Sequence, residues 1–309
     1  MRHSLFIGSL FYAMLMLVHS AAIAQAPGRE ARFGLLVMAH GGSDEWNSGV
    51  LEVIEPLRKS YPVAVAFGMA DAGSLEQSIN KLASRGVTHA GVVRLFVSGE
   101  SWYERTRQIL GLESGAPEKP ASAEVEQGAH VGHADSAEGG HSMRFWRITS
   151  DIRFAVSGEG LAEADEMGAV LETRARDLSI DPNVEDVLIL AHGPEDDAEN
   201  ARWIEDINAR AETVRRALPF NEVHVLTLRE DWAGKREQAE HNVRRFVQAS
   251  TEAGREALVI PFRVQGFGPY EDVLSGLDYR ADHRGLVPHR NVTRWIEAQA
   301  RALESRLLR

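Results

Sequence analysis

Gly34-Leu35-Leu36-Val37-Met38-Ala39-His40-Gly41-Gly42 returns in the second half of the chain as Val187-Leu188-Ile189-Leu190-Ala191-His192-Gly193. Each copy is an apolar run of strand length that ends in Ala-His-Gly and leads into an acidic, helix-starting segment. A strand that is apolar at every position is buried on both faces, as in a parallel sheet between helix layers. The histidine then stands at the strand's carboxyl end, where open α/β sheets place their ligands. The glycine after it lets the backbone turn sharply and leaves the imidazole accessible.

Working outward, apolar spacing at Val50, Val53, Ile54 and Leu57 predicts a helix over 44–59. A strand follows over 62–69, a helix over 74–85 stopped by Gly86, a strand over 89–97 and a short helix over 102–110. That β-α-β-α-β-α order implies a parallel sheet with crossover helices. Residues 145–156 read as a fourth strand or strand pair, 162–178 as a helix and 181–183 as a turn. The plan then repeats. Strands are expected at 186–191, 223–228, 257–264 and 279–286, and helices at 196–218, 235–253, 270–277 and 292–308. The segment from Gly99 to Glu104 also matches that from Gly266 to Glu271 in the same register. Two similar lobes related by duplication, spanning 33–180 and 184–309, would set their strand ends around one cleft.

The 309 residues suffice for two ordinary domains, and 44% hydrophobic with 26% charged residues is a globular composition. A net charge of −11 supplies no basic field for phosphates, so nucleic acid is excluded as the main partner. There is no cysteine, which excludes thiolate metal sites, cysteine nucleophiles and disulfides. The N-terminus has a basic start, an apolar core over 5–18 and the small-x-small pattern Ala22-Ile23-Ala24. It reads as a secretory signal peptide over 1–24, predicting export to a periplasm and no stable membrane span after cleavage. No P-loop, dinucleotide glycine pattern or nucleophile elbow is present.

Two sets of residues can carry chemistry. His40 and His192 can bind a divalent cation or move a proton, or merely hydrogen-bond a neighbouring loop. The carboxylates behind them (Asp44 and Glu45; Glu195, Asp196 and Asp197) suit helix N-termini. The second set lies in residues 112–143, a small-residue, polar insertion. It contains His130, His133, Asp135, Glu138 and His141, either a loose site for Co2+, Ni2+ or Zn2+ or a solvated linker rich in histidine.

The strand from Leu35 to His40, Ala66-Phe67 with Ser74-Leu75 opening the next helix, Val92 to Ser98, and the run from Ala191 to Trp203 together resemble the class II tetrapyrrole metal chelatases. These are the sirohydrochlorin cobaltochelatase and ferrochelatase family, in its long, duplicated form. The resemblance covers 33–300 apart from the insertion. It implies two Rossmann-like, chelatase-like lobes, each a parallel sheet with helices on both faces. It further implies insertion of a divalent metal, Co2+ first with Fe2+ or Ni2+ as alternatives, into a sirohydrochlorin-type tetrapyrrole macrocycle between the lobes. His40 would contact the metal and help take pyrrole protons. The family's carboxylate after the second strand falls at Met69, with Asp71 nearest, and its second histidine falls at Trp102 and at Pro269. One histidine from each lobe, His40 with His192, would have to restore the pair. Without it, the chain would be a non-catalytic binder of metal or tetrapyrrole.

Overall fold

The computed structural model describes residues 30–121 and 143–309. The signal segment (1–24) and His130, His133 and His141 lie outside the described residues. No helix among the described residues is long and apolar enough to cross a membrane.

The first half runs β1 (Phe33–Ala39), α1 (Asp44–Ile54), β2 (Val63–Phe67), α2 (Ala72–Ala83), β3 (His89–Leu95), α3 (Tyr103–Ile109), β4 (Arg153–Val156) and α4 (Glu166–Leu178). The second runs β5 (Glu185–Ala191), α5 (Asp197–Ala217), β6 (Glu222–Thr227), α6 (Ala233–Glu252), β7 (Glu256–Phe262), α7 (Tyr270–Val273), β8 (Arg280–Ala281) and α8 (Arg290–Leu307). Two wholly parallel four-stranded sheets result, ordered β2-β1-β3-β4 and β6-β5-β7-β8. The repeated apolar runs are β1 and β5, central in their sheets and buried at every position. The duplicated α/β architecture expected from the sequence is therefore the observed one.

Differences fall where local chemistry interrupts an element. The predicted helix over 44–59 is α-helical only to Ile54 and tightens to a 3-10 turn over Glu55–Lys59, because Pro56 lacks the N–H an α-turn needs. Of 145–156 only the last four residues pair with β3. The chain before them tucks Trp146 and Ile148 beneath α3, Ile148 N–H donating to Ile109 O at 2.8 Å. The strand predicted over 279–286 pairs for two residues only; Asp282 then turns its carboxylate to Arg284 and Arg174, and the backbone leaves the ladder. The helix predicted over 270–277 ends at Val273, ahead of a turn with Gly276 at φ 77°.

Three apolar cores follow from the strand alternation. Leu36 and Met38 of β1 face one outer core with α2 and α3, and Leu188 and Leu190 of β5 face another with α6 and α7. Leu35 and Val37, with Val187 and Ile189, turn to a central core between the sheets that α1, α4, α5 and α8 also fill. Helix exchange makes this core continuous. α4 packs on β7 and along α5 of the second half, while α8 packs on β3, β4 and α1 of the first. Each half thus lends its closing helix to the other half's sheet. Two glycines admit these helices: a Cβ on Gly91 would lie 2.7 Å from Phe33 Cζ and 3.0 Å from Leu303 Cβ of α8. A Cβ on Gly168 of α4 would lie 2.5 Å from Thr213 Oγ1 of α5. Polar contacts fix the register: Thr293 Oγ1 donates to Val53 O at 2.8 Å, and Arg174 of α4 donates to Gly285 O at 2.9 Å and Pro288 O at 3.0 Å.

Candidate functional site

The sheet register equates positions between lobes. Ala39 lies beside Phe67 and Leu95, and Ala191 lies beside Thr227 and Phe262. Counting onward, Met69 corresponds to Arg229, Ala70 to Glu230, Asp71 to Asp231, Phe96 to Arg263 and Tyr103 to Tyr270. Met69 and Arg229 share a left-handed φ of 58°, which supports the count.

His40 and His192 each follow the last residue of a central strand, so both stand at carboxyl edges. The glycines after them take φ 82° and 78°, the left-handed turn that glycine adopts without strain. In each lobe the imidazole Nδ1 lies at hydrogen-bonding distance from the next carbonyl, Gly41 O at 2.7 Å and Gly193 O at 2.8 Å. An Nδ1–H donated there leaves Nε2 as the outward nitrogen in both. His40 is exposed and flanked by Trp46; His192 is half-buried, its ring edge-on to Trp232 at 5.6 Å. The helices behind the histidines start as expected. Ser43 caps α1 through Trp46 N–H, and Asp196 caps α5 through Glu199 N–H at 2.8 Å.

The two edges meet along the lobe interface. Glu100, in the loop after β3, pairs with Arg202 of α5 through two contacts of 2.7 Å. Gln265, in the equivalent loop after β7, donates to Glu45 O of α1 at 3.1 Å. The helices that begin just after His40 and His192 thus each touch the opposite lobe's third-strand loop.

The lobes differ at the second strand. Asp231 Oδ2 lies 2.9 Å from His192 Nε2, and Glu230 Oε2 lies 4.0 Å from it. With Nδ1–H given to Gly193 O, Nε2 donates to Asp231 only as imidazolium. These carboxylates were missed by sequence reasoning, which aligned the second-strand position in the first half alone and met Met69 and Asp71. The repeat itself pointed to them, because carrying Met69 across to Arg229 brings Glu230 and Asp231 with it. Asp71 is committed elsewhere: it caps α2 through Ser74 N–H at 2.8 Å and accepts from Arg144 at 2.6 and 3.0 Å. Burial pushes its carboxyl up, but the Arg144 and Ser74 donors outweigh that and hold it below the ordinary value.

Behind His192 the loop is clamped by cations. Arg229 donates to Pro194 O, Glu195 O and Asp197, and Lys235 donates to Glu195 O at 2.7 Å and Asp197 at 2.6 Å. Lys235 and Arg229 hold the exposed Asp197 carboxyl low. Deeper, Arg263 pairs with Glu230 and lies 5.5 Å over the ring of the fully buried Tyr270. In the first lobe the third-strand loop is organised by a different cation. Arg94 is buried in β3, donates to Ser101 O and Gly99 O at 2.6 Å, and is brought down to about 10 by burial. Trp102, where the resemblance expects a histidine, sits at φ 59° ahead of α3, and Pro269 precedes α7. His289 caps α8 by accepting from Asn291 N–H.

Among the described residues no three His, Asp or Glu side chains gather into a set that could hold a metal ion alone.

No protein-family model and no curated protein match the chain. Solved structures do, and the fold they share with it, two lobes of parallel sheet and helix, is chelatase-like. SirB of Bacillus subtilis, solved with Fe3+, is 14% identical with a TM-score of 0.59, over 88% of this chain and 95% of that one. The sirohydrochlorin chelatase SirB of Bacillus subtilis subspecies spizizenii, in complex with cobalt, is 13% identical with a TM-score of 0.55, over 89% and 98%. A multi-domain protein of Deinococcus radiodurans with structural similarity to chelatases is 19% identical with a TM-score of 0.53, over 87% of this chain. The chain spans only 55% of that protein's length.

Proposed function

We propose that this chain is an exported chelatase that inserts a divalent cation, Co2+ first and Fe2+ or Ni2+ as alternatives, into a sirohydrochlorin-type tetrapyrrole. The observation that carries the reading is His192 at the carboxyl end of a central strand with Asp231 and Glu230 on its Nε2 side. The likeness to the iron- and cobalt-bearing SirB structures supports the same reaction class. The N-terminal pattern over 1–24 supports export to a periplasm.

Metal insertion requires that the aquated cation exchange water for ring nitrogens and that two pyrrole protons leave. The Asp231 and Glu230 carboxylates attract a cation to His192 and replace part of its water shell. His40, whose Nε2 is the outward nitrogen of an exposed ring, serves as acceptor for one pyrrole proton, and solvent water at that exposed edge takes the other. A macrocycle standing between the two strand ends would meet one histidine on each side.

The test is absorbance of sirohydrochlorin with the mature chain and Co2+, Ni2+ or Fe2+ in turn. The reading expects the metallated-ring spectrum to grow in at a rate proportional to enzyme. A spectrum that stays at the uncatalysed rate with all three metals refutes insertion; tight ring binding without turnover would leave a tetrapyrrole-binding protein.

A further inference from the structure

The loop after β3 holds Trp102 at φ 59°, a left-handed conformation that a bulky side chain rarely adopts. Its counterpart in the second lobe, Pro269, sits at an ordinary φ of −79°, so the shared fold does not impose that conformation. Met69, in the loop after β2, shares the feature at φ 58°. A glycine would take either position without strain, yet both carry large apolar side chains that are only partly buried, against the first outer core. Strain kept under a side chain that still meets solvent points to a task for that side chain at the surface.

Both loops belong to the His40 edge. Gly68 N–H donates to His40 O at 2.8 Å, β3 lies directly against β1, and Arg105 of α3 ties the loops together by donating from Nε to Ala70 O at 3.0 Å. Beside Trp102 an open hollow of about 440 Å³ runs past Tyr103, Arg105 and Phe145 and reaches Glu100, the residue that pairs with Arg202 of the other lobe. The remaining groups of this hollow are already engaged. Arg94 and Arg107 lie 4.7 and 5.4 Å from the centre of the Tyr103 ring, Arg105 covers Phe145 at 4.3 Å, and Glu104 accepts from Gln108 at 2.9 Å. Among the described residues, the Trp102 indole has no ring, cation or hydrogen-bond partner on its side chain. The matching surface of the second lobe is ionic, with Arg229 in place of Met69 and Glu230 and Asp231 after it.

We infer that Trp102, assisted by Met69, seats one face of a planar conjugated macrocycle against the first lobe and leaves the opposite face toward the ionic edge of the second. This rests on the metal-insertion reading but concerns ring binding, which can be measured without metal. An indole offers a flat polarisable face, and a thioether adapts its shape to a ring edge. Stacking of this kind selects for a π-face in the ligand. A flexible aliphatic ligand would instead need an enclosed groove, and this hollow is open.

The experiment titrates metal-free sirohydrochlorin into the mature chain, reading the ring's absorbance, for wild type, W102F, W102L and M69A, with Tm measured on each. W102L keeps apolar bulk but loses the aromatic face, and is expected to weaken ring binding about tenfold or more. W102F keeps a face and should stay within about threefold of wild type, with M69A between the two. W102F and W102L should share the same Tm. In the insertion assay the KM for the ring should rise in the same order while kcat changes less than about twofold, because a seat grips ring and transition state alike. Wild-type ring affinity in W102L overturns the inference. So does an equal loss in W102F and W102L, which would mark Trp102 as a packing residue. A wild-type chain that binds no ring overturns both the seat and the metal-insertion reading. Ring binding in the expected variant order without metallation by Co2+, Ni2+ or Fe2+ supports the seat and refutes insertion.

Discussion

Asp231 stands 2.9 Å from His192 Nε2, whereas its counterpart in the other lobe, Asp71, is locked to Arg144 and to the start of α2. Duplication placed a carboxylate at the same position twice, and the two lobes use it differently. The second lobe presents acid to its histidine; the first spends it on holding a helix and the segment that follows the insertion. Under the proposed function this difference would divide the labour, with cation capture assigned to His192 and proton acceptance to His40.

That division predicts that both histidines matter. H40N and H192N should each lower the rate of Co2+ insertion by about 10²-fold or more, the usual range for losing a positioned acid or base. Only H192N should also weaken Co2+ binding measured without the ring. Full insertion activity in both single variants would refute the two-histidine site.

The Asp71 cap predicts an acid-sensitive α2. Its folded pKa is depressed, so its contribution to stability is present above the unfolded value of 3.8 and is lost as pH falls through the folded value. D71A should lower stability by about 1 kcal/mol at pH 7, the typical worth of an N-cap. The deficit should shrink below pH 4 in urea denaturation. A pH-independent deficit would contradict this.

His289 makes the opposite kind of sensor in α8. Burial first, then Arg174, Arg290 and Arg284, lower its pKa; Asp177 nearby opposes them. The group caps α8 as the neutral ring, accepting from Asn291 N–H at 3.1 Å. A depressed folded value means stability is complete above the unfolded value of 6.5 and declines as pH drops through it toward the folded value. H289N, which keeps a capping side chain, should flatten stability across that window while leaving it near wild type at pH 8. Identical pH profiles would refute the assignment.

Gly91 controls entry of the exchanged helix. G91A should cost about 1–3 kcal/mol, as overpacking of a filled core does. Its effect should not add to that of L303A, because removing the Leu303 side chain opens part of the space the new methyl needs. Strict additivity in chemical denaturation would show that α8 does not lie against this strand as described.

Much of the site's frame was legible in the chain. Val37 and Ile189 sit in runs that only a doubly covered strand tolerates, and His-Gly after Ala39 and Ala191 marked the carboxyl edges. The duplication let one lobe be checked against the other. Glu230 and Asp231 escaped notice because their strand, β6, alternates buried and exposed residues and shows no repeated motif at its end.

The sequence by itself determined the local plan: the order of strands and helices, the parallel pairing of the strands, and the two histidines that follow their central members. Apolar periodicity and glycine placement act over a few residues, so they can be read from a few residues. Only the tertiary structure decided that α4 and α8 change places, that Arg144 takes Asp71 out of use, and that Arg263 and Glu230 stand behind His192. Those outcomes join residues far apart in the chain and depend on which surface is left to bury once the local elements exist, a choice that packing makes and periodicity does not record.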